Sequence, residues 1–87
     1  MQQEILSLAR KIFGSEEILD VGASETVDED GNAILRLRVF YREGAELPVE
    51  QMLSFPAQVR QVTDPIFGYP VVTFADASEL TKEYAAQ

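Results

Sequence analysis

The chain has 87 residues, 46% of them apolar and 25% charged, and 15 acidic against 7 basic side chains leave a net charge of −8. That length and balance fit a single small domain spanning 1–87, and the negative charge argues against broad binding to a phosphate backbone. Cysteine and histidine are both absent, which excludes disulfides, thiolate or imidazole metal sites, cysteine nucleophiles and every triad with a histidine base.

The first segment reads as a helix. Ile5, Leu8, Ala9 and Ile12 recur at the spacing of one buried stripe, widened by Leu6 and Phe13. Arg10 and Lys11 suit its last turn, and Gly14 suits the position just past its end.

Residues 18–27 and 33–42 read as two strands around Asp28-Glu29-Asp30-Gly31-Asn32. In the second, Leu35, Leu37, Val39 and Tyr41 alternate with Arg36, Arg38 and Arg42; in the first, Leu19, Val21, Ala23 and Val27 share the odd parity. Parity decides the turn. A two-residue Asp30-Gly31 turn would set odd positions opposite even ones and send the two apolar sets to opposite faces. A three-residue loop, Glu29-Asp30-Gly31 closed by Asp28 and Asn32, pairs Val21 with Val39 and Ala23 with Leu37. Gly31 then takes the left-handed slot of a type I turn with a G1 bulge.

After Gly44, Pro48 suits a first helical turn, and Val49, Met52, Leu53, Val59 and Val62 can share a face. Pro56 interrupts that pattern, so two short helices are expected, about 48–53 and 55–62, the second capped by Ser54. Asp64-Pro65 forces a turn, and Val71-Val72-Thr73-Phe74 is a short buried strand. Asp76 and Glu79 form a capping box for a last helix carrying Leu80 and Tyr84. The expected fold is α+β, in the order α-β-β-α-α-β-α. Placing the third strand beside the first gives a three-stranded antiparallel sheet with helices on one face.

That order, with a break between two mid-chain helices, resembles a type II KH domain. The run Tyr69-Pro70-Val71-Val72-Thr73-Phe74 also looks like the last strand of the ribosome-binding factor A family, a relative of that fold. The resemblance implies RNA binding through a Gly-x-x-Gly loop between the helices. Ser54-Phe55-Pro56-Ala57 stands there instead, so no functional residue carries over.

No stretch approaches the roughly 18–20 apolar residues of a membrane span. The N-terminus lacks a basic lead, an apolar run and a small-residue cleavage site, so the chain reads as cytoplasmic. The acidic hairpin tip fails as a calcium loop, because the glycine and the twelfth residue fall at the wrong positions. Glu25 shares the apolar parity and could serve as a general acid or base if buried, yet no second carboxylate or nucleophile converges on it. No catalytic residue, metal or cofactor is expected.

The most informative feature is the even face of the second strand: Ile34, Arg36, Arg38, Phe40 and Arg42. Three of the chain's seven basic residues lie there with aromatic Phe40 among them. Exposed, the stripe suits an acidic protein, or bases on Phe40 with arginines at phosphates. Seven of the fifteen acidic residues lie between Glu16 and Asp30, a solubilising surface or a dock for a basic partner. The expected function is a non-catalytic interaction module, an adaptor or antitoxin-like neutralising partner, binding another protein or itself through the open sheet face. The alternative is a degenerate KH-like nucleic-acid binder using Arg36, Arg38, Phe40 and Arg42.

Overall fold

The computed structural model describes residues 2–79. It is an α+β fold in which two helices cover one face of a three-stranded mixed sheet. Helix α1, Gln2–Phe13, buries Ile5, Ala9 and Phe13, with Leu6, Leu8 and Ile12 packed around them. Gly14 ends it at φ 110°, and its N–H donates to the Arg10 carbonyl at 2.9 Å. A side chain is strained at that φ, and a Cβ there would also meet Glu17 at 3.2 Å.

Strand β1, Ile18–Val27, pairs antiparallel with β2, Ala33–Tyr41. The register is the one that parity requires: Val21 opposite Val39, Ala23 opposite Leu37, Val27 opposite Ala33. The Asp28 N–H donates to the Asn32 carbonyl and the Gly31 N–H to the Asp28 carbonyl, both at 3.0 Å, with Gly31 at φ 82°. This is the expected three-residue loop. Parity fails only at the start of β1, where an irregularity between Ile18 and Asp20 sets Ile18 against Tyr41. The bulge buries Ile18 in place of Leu19, which is exposed.

The connection after β2 departs from expectation. Helix α2, Val49–Arg60, runs unbroken through Pro56, where two helices, 48–53 and 55–62, were expected. Packing explains the continuity. Met52, Phe55 and Val59 all meet the core, and only an uninterrupted helix keeps i, i+3 and i+7 in phase. Ser54 caps nothing; its hydroxyl donates to the Gln51 carbonyl and accepts from Gln58, each at 3.2 Å. Val49 and Leu53 do not share the buried face, and Leu53 is 77% exposed. The interhelical break on which the KH resemblance rested is therefore absent from this helix.

A 3-10 turn, η1, Pro65–Phe67, is capped by the Asp64 carboxylate, which accepts from the Ile66 N–H at 3.0 Å. Strand β3, Val71–Asp76, then joins the sheet beside β2 and parallel to it, giving the order β1-β2-β3. This corrects the antiparallel sheet with β3 next to β1. The strand direction is as expected; the neighbour is not. Side chains of α1 already occupy β1: Gln2 Nε2 donates to the Val21 carbonyl at 2.6 Å, and Arg10 donates to the Ile18 and Leu19 carbonyls at 3.2 Å. The β2-α2-β3 crossover is also the usual link between neighbouring parallel strands.

Phe74 of β3 completes an aromatic trio with Phe13 and Phe55, with ring centroids 5.6 to 6.1 Å apart. The trio joins the sheet to both helices, and each such pair adds about 0.5–1.5 kcal/mol beyond its buried area. Residues 77–79 begin a helical turn, and the Asp76 carboxylate accepts from the Ser78 N–H at 3.0 Å, as a cap would. Leu80 and Tyr84 lie outside the described residues. No helix among the described residues is long and apolar enough to cross a membrane.

Candidate interaction face

Strand β2 is the middle strand, so its alternation divides the molecule. Leu35, Leu37 and Val39 point into the core under the helices and are buried. Arg36, Arg38 and Phe40 project from the opposite face. The antiparallel register sets Ser24 and Gly22 beside Arg36 and Arg38; the parallel register adds Val71, Thr73 and Ala75 from β3. Together they line a shallow depression of about 580 Å³. Gly22, Ser24 and Ala75 keep its floor low, and a Cβ added at Gly22 would meet nothing within 4 Å.

The five residues expected to form one stripe do not stay together. Arg36 is exposed, flanked by Ser24 and Val71, and forms no ion pair among the described residues. Arg38 lies over the Phe40 ring at 5.6 Å, and its Nη2 is 4.0 Å from a Glu79 carboxylate oxygen. Phe40 is only 4% exposed, with Ala75 beside it at 9%. The depression is therefore open at its Arg36 end and closed at its Phe40 end.

The other two belong elsewhere. Ile34 is half-buried opposite Thr26, towards the hairpin tip and outside the depression. Arg42 falls past the end of β2 and donates to Glu17 Oε2 at 2.8 Å, while its backbone N–H bonds the Glu17 carbonyl at 2.8 Å. It fastens the entry of β1 and the exit of β2 to each other.

Val71, Thr73 and Ala75 escaped the sequence reading because β3 was set against the wrong neighbour. Their parity was the available signal, since Val71 and Thr73 are exposed while Val72 and Phe74 pack on the core.

Several of the clustered acids between Glu16 and Asp30 have local work. Glu17 holds Arg42, and Asp20 Oδ1 accepts from the Val21 N–H at 2.8 Å. Asp28 Oδ1 accepts from the N–H groups of Asp30 and Asn32, each at 2.9 Å. The Asn32 backbone N–H, aided by its side chain and by the Asp30 and Gly31 N–H groups, holds the Asp28 carboxyl below its ordinary range against a smaller opposing desolvation. Glu25 is exposed and borders a second depression of about 460 Å³ with Thr26, Val27, Ala33, Ile66 and Phe67. No second titratable side chain lines it.

What the open face offers is a guanidinium fork beside a shallow, mostly uncharged floor. A carboxylate presented to Arg36 meets two parallel donors, the geometry that makes arginine–carboxylate pairing directional. Compared with known proteins, the chain matches no family model and no curated protein.

Proposed function

We propose that the chain is a non-catalytic interaction module whose open sheet face receives an acidic segment of a partner protein. The observation that carries this reading is the exposed Arg36 at the open end of the depression lined by Gly22, Ser24, Val71 and Thr73. A basic spot on a chain of net charge −8 selects for acidic groups by charge complementarity, and the remaining surface repels them. An adaptor is the kind of protein that works through such a face; an antitoxin-like partner that neutralises a basic protein would use the acids between Glu16 and Asp30 instead.

A KH-like use of the same stripe draws less support. Base stacking needs an accessible aromatic face, and Phe40 is 4% exposed. Arg42, the stripe's last cation, is paired with Glu17.

The test compares capture of partners by the tagged wild type and by Arg36→Glu, followed by titration of the captured protein. Binding that weakens by about tenfold or more in Arg36→Glu and falls with added salt supports the reading, one lost carboxylate pair being worth about that much. Equal capture by both proteins overturns it. Salt-sensitive binding of single-stranded RNA that vanishes in Arg36→Ala/Arg38→Ala would replace it with the nucleic-acid alternative.

A further inference from the structure

We infer that the outer edge of β3 is a self-pairing site, at which a second copy of this chain adds its own β3 antiparallel across a two-fold axis at Thr73. Strand β3 is last in the sheet order, and among the described residues the backbone of its Val71–Ala75 stretch hydrogen-bonds on the β2 side only. Among the described residues, no bond reaches the outer backbone groups of Val71–Ala75. The Thr73 hydroxyl likewise turns inward, donating to the Leu37 carbonyl at 3.4 Å. An open row of N–H and C=O groups is a template for another strand, and proteins normally blunt it with charge, a bulge or a cover.

Among the described residues, none of these devices is present along Val71–Ala75. From Pro65 to Ala75 no residue is charged, and the register with β2 is regular. Along Ile18–Val21 the opposite edge is guarded by means that β3 lacks: a bulge near Leu19, Arg10 and Gln2 on its carbonyls, and the Asp20 carboxylate on the Val21 N–H.

The sequence of the edge names the occupant. Two copies of a chain with net charge −8 repel one another, and a close contact along a stretch without charge adds nothing to that repulsion. Antiparallel pairing about Thr73 sets Val71 opposite Ala75 and Val72 opposite Phe74, with no charged pair along the ladder. Val71, Thr73 and Ala75 fall on the open face, whereas Val72 and Phe74 extend the core side. An isologous two-fold contact needs this self-complementarity. The product is a six-stranded sheet with both Arg36 side chains on one face.

The chain contains no cysteine, so single substitutions report the geometry cleanly. Oxidation of full-length Thr73→Cys should give a covalent dimer, because residues opposed on the axis bring their Cβ atoms within about 4.5–5.5 Å. Val71→Cys should remain monomeric alone but crosslink when mixed with Ala75→Cys. In sedimentation, wild type should dimerise as its concentration rises. Thr73→Lys should weaken the dimer by about tenfold or more through like charges at the axis. Mixing Thr73→Lys with Thr73→Glu should restore association.

Circular dichroism of each variant confirms its fold, and the cysteine pairs test the register without added charge. A monomeric wild type across the micromolar range overturns the inference. So does a dimer that Thr73→Lys leaves intact, or crosslinking equally efficient from Val71→Cys alone. The result is separable from partner binding, because Arg36→Glu should lose the partner and keep the dimer.

Discussion

The two outer strands of the sheet are held by different means. Strand β1 is secured from within its own stretch of chain: a tight loop returns it to β2, Glu17 clamps its entry to Arg42, and α1 side chains sit on its carbonyls. Strand β3 arrives after a long excursion through α2 and η1. It is held on one side by the parallel ladder and from beneath by Phe74. Local devices thus finish one edge along Ile18–Val21, while the other depends on a few distant contacts, and among the described residues no bond reaches its outer side along Val71–Ala75. An edge held from afar is easier to loosen and more available to a partner.

The sharpest way to break this contrast is Phe74→Ala. Removing the ring opens a gap among Phe13 and Phe55 and should cost about 2–3 kcal/mol, below the fully buried range because Phe74 is only partly buried. Urea unfolding gives the total, and hydrogen exchange locates it. Amides of β3 should lose protection before those of β1. Equal loss in both strands would mean that the sheet opens as one unit and that the two edges are energetically alike.

Gly31→Ala comes next and strikes the local side. At φ 82° an alanine is in the left-handed region, at a cost of about 1–2 kcal/mol. No atom lies within 4 Å of the added Cβ, so the penalty is conformational. Exchange should now speed up near the hairpin tip and leave β3 alone. Arg10→Met should cost less, about 0.5–1 kcal/mol, since its methylene stem is conserved and only a part-buried bond to Ile18 and an exposed one to Leu19 go. Urea unfolding measures the loss, and sedimentation should show no new association through β1, because the bulge, Gln2 and Asp20 stay in place.

The same division explains what could be read in the sequence. The α1 stripe, the Gly14 stop, the hairpin register and the three-residue loop follow from spacing and parity within a few dozen residues, and all stand as derived. The neighbour of β3 is decided by contacts between distant segments, above all α1 side chains reaching β1, for which no local pattern speaks. Pro56 misled because its own preference opposes a helix while Phe55 and Val59, both fully buried, require one. The candidate face was half legible. Arg36, Arg38 and Phe40 followed from alternation on one strand; Val71, Thr73 and Ala75 depended on the missed neighbour, and Arg42 and Ile34 on where the ladder ends.

Acid gives the gentlest probe, because it acts on the hairpin tip and on no side chain along Val71–Ala75. The Asp28 carboxyl is held below its ordinary range chiefly by the Asn32 N–H. A depressed folded-state pKa favours the charged form, so its contribution to stability is complete above the unfolded carboxyl's pKa. It fades as pH falls through the folded one. The urea midpoints of wild type and Asp28→Ala should therefore differ at neutral pH and converge in the acid range. No carboxyl lies along Val71–Ala75, so on acidification the Asn32 amide should lose protection before that of Thr73. A gap between wild type and Asp28→Ala that does not change with pH would show that Asp28 acts by shape alone, and that the charge held at the tip does not secure the hairpin.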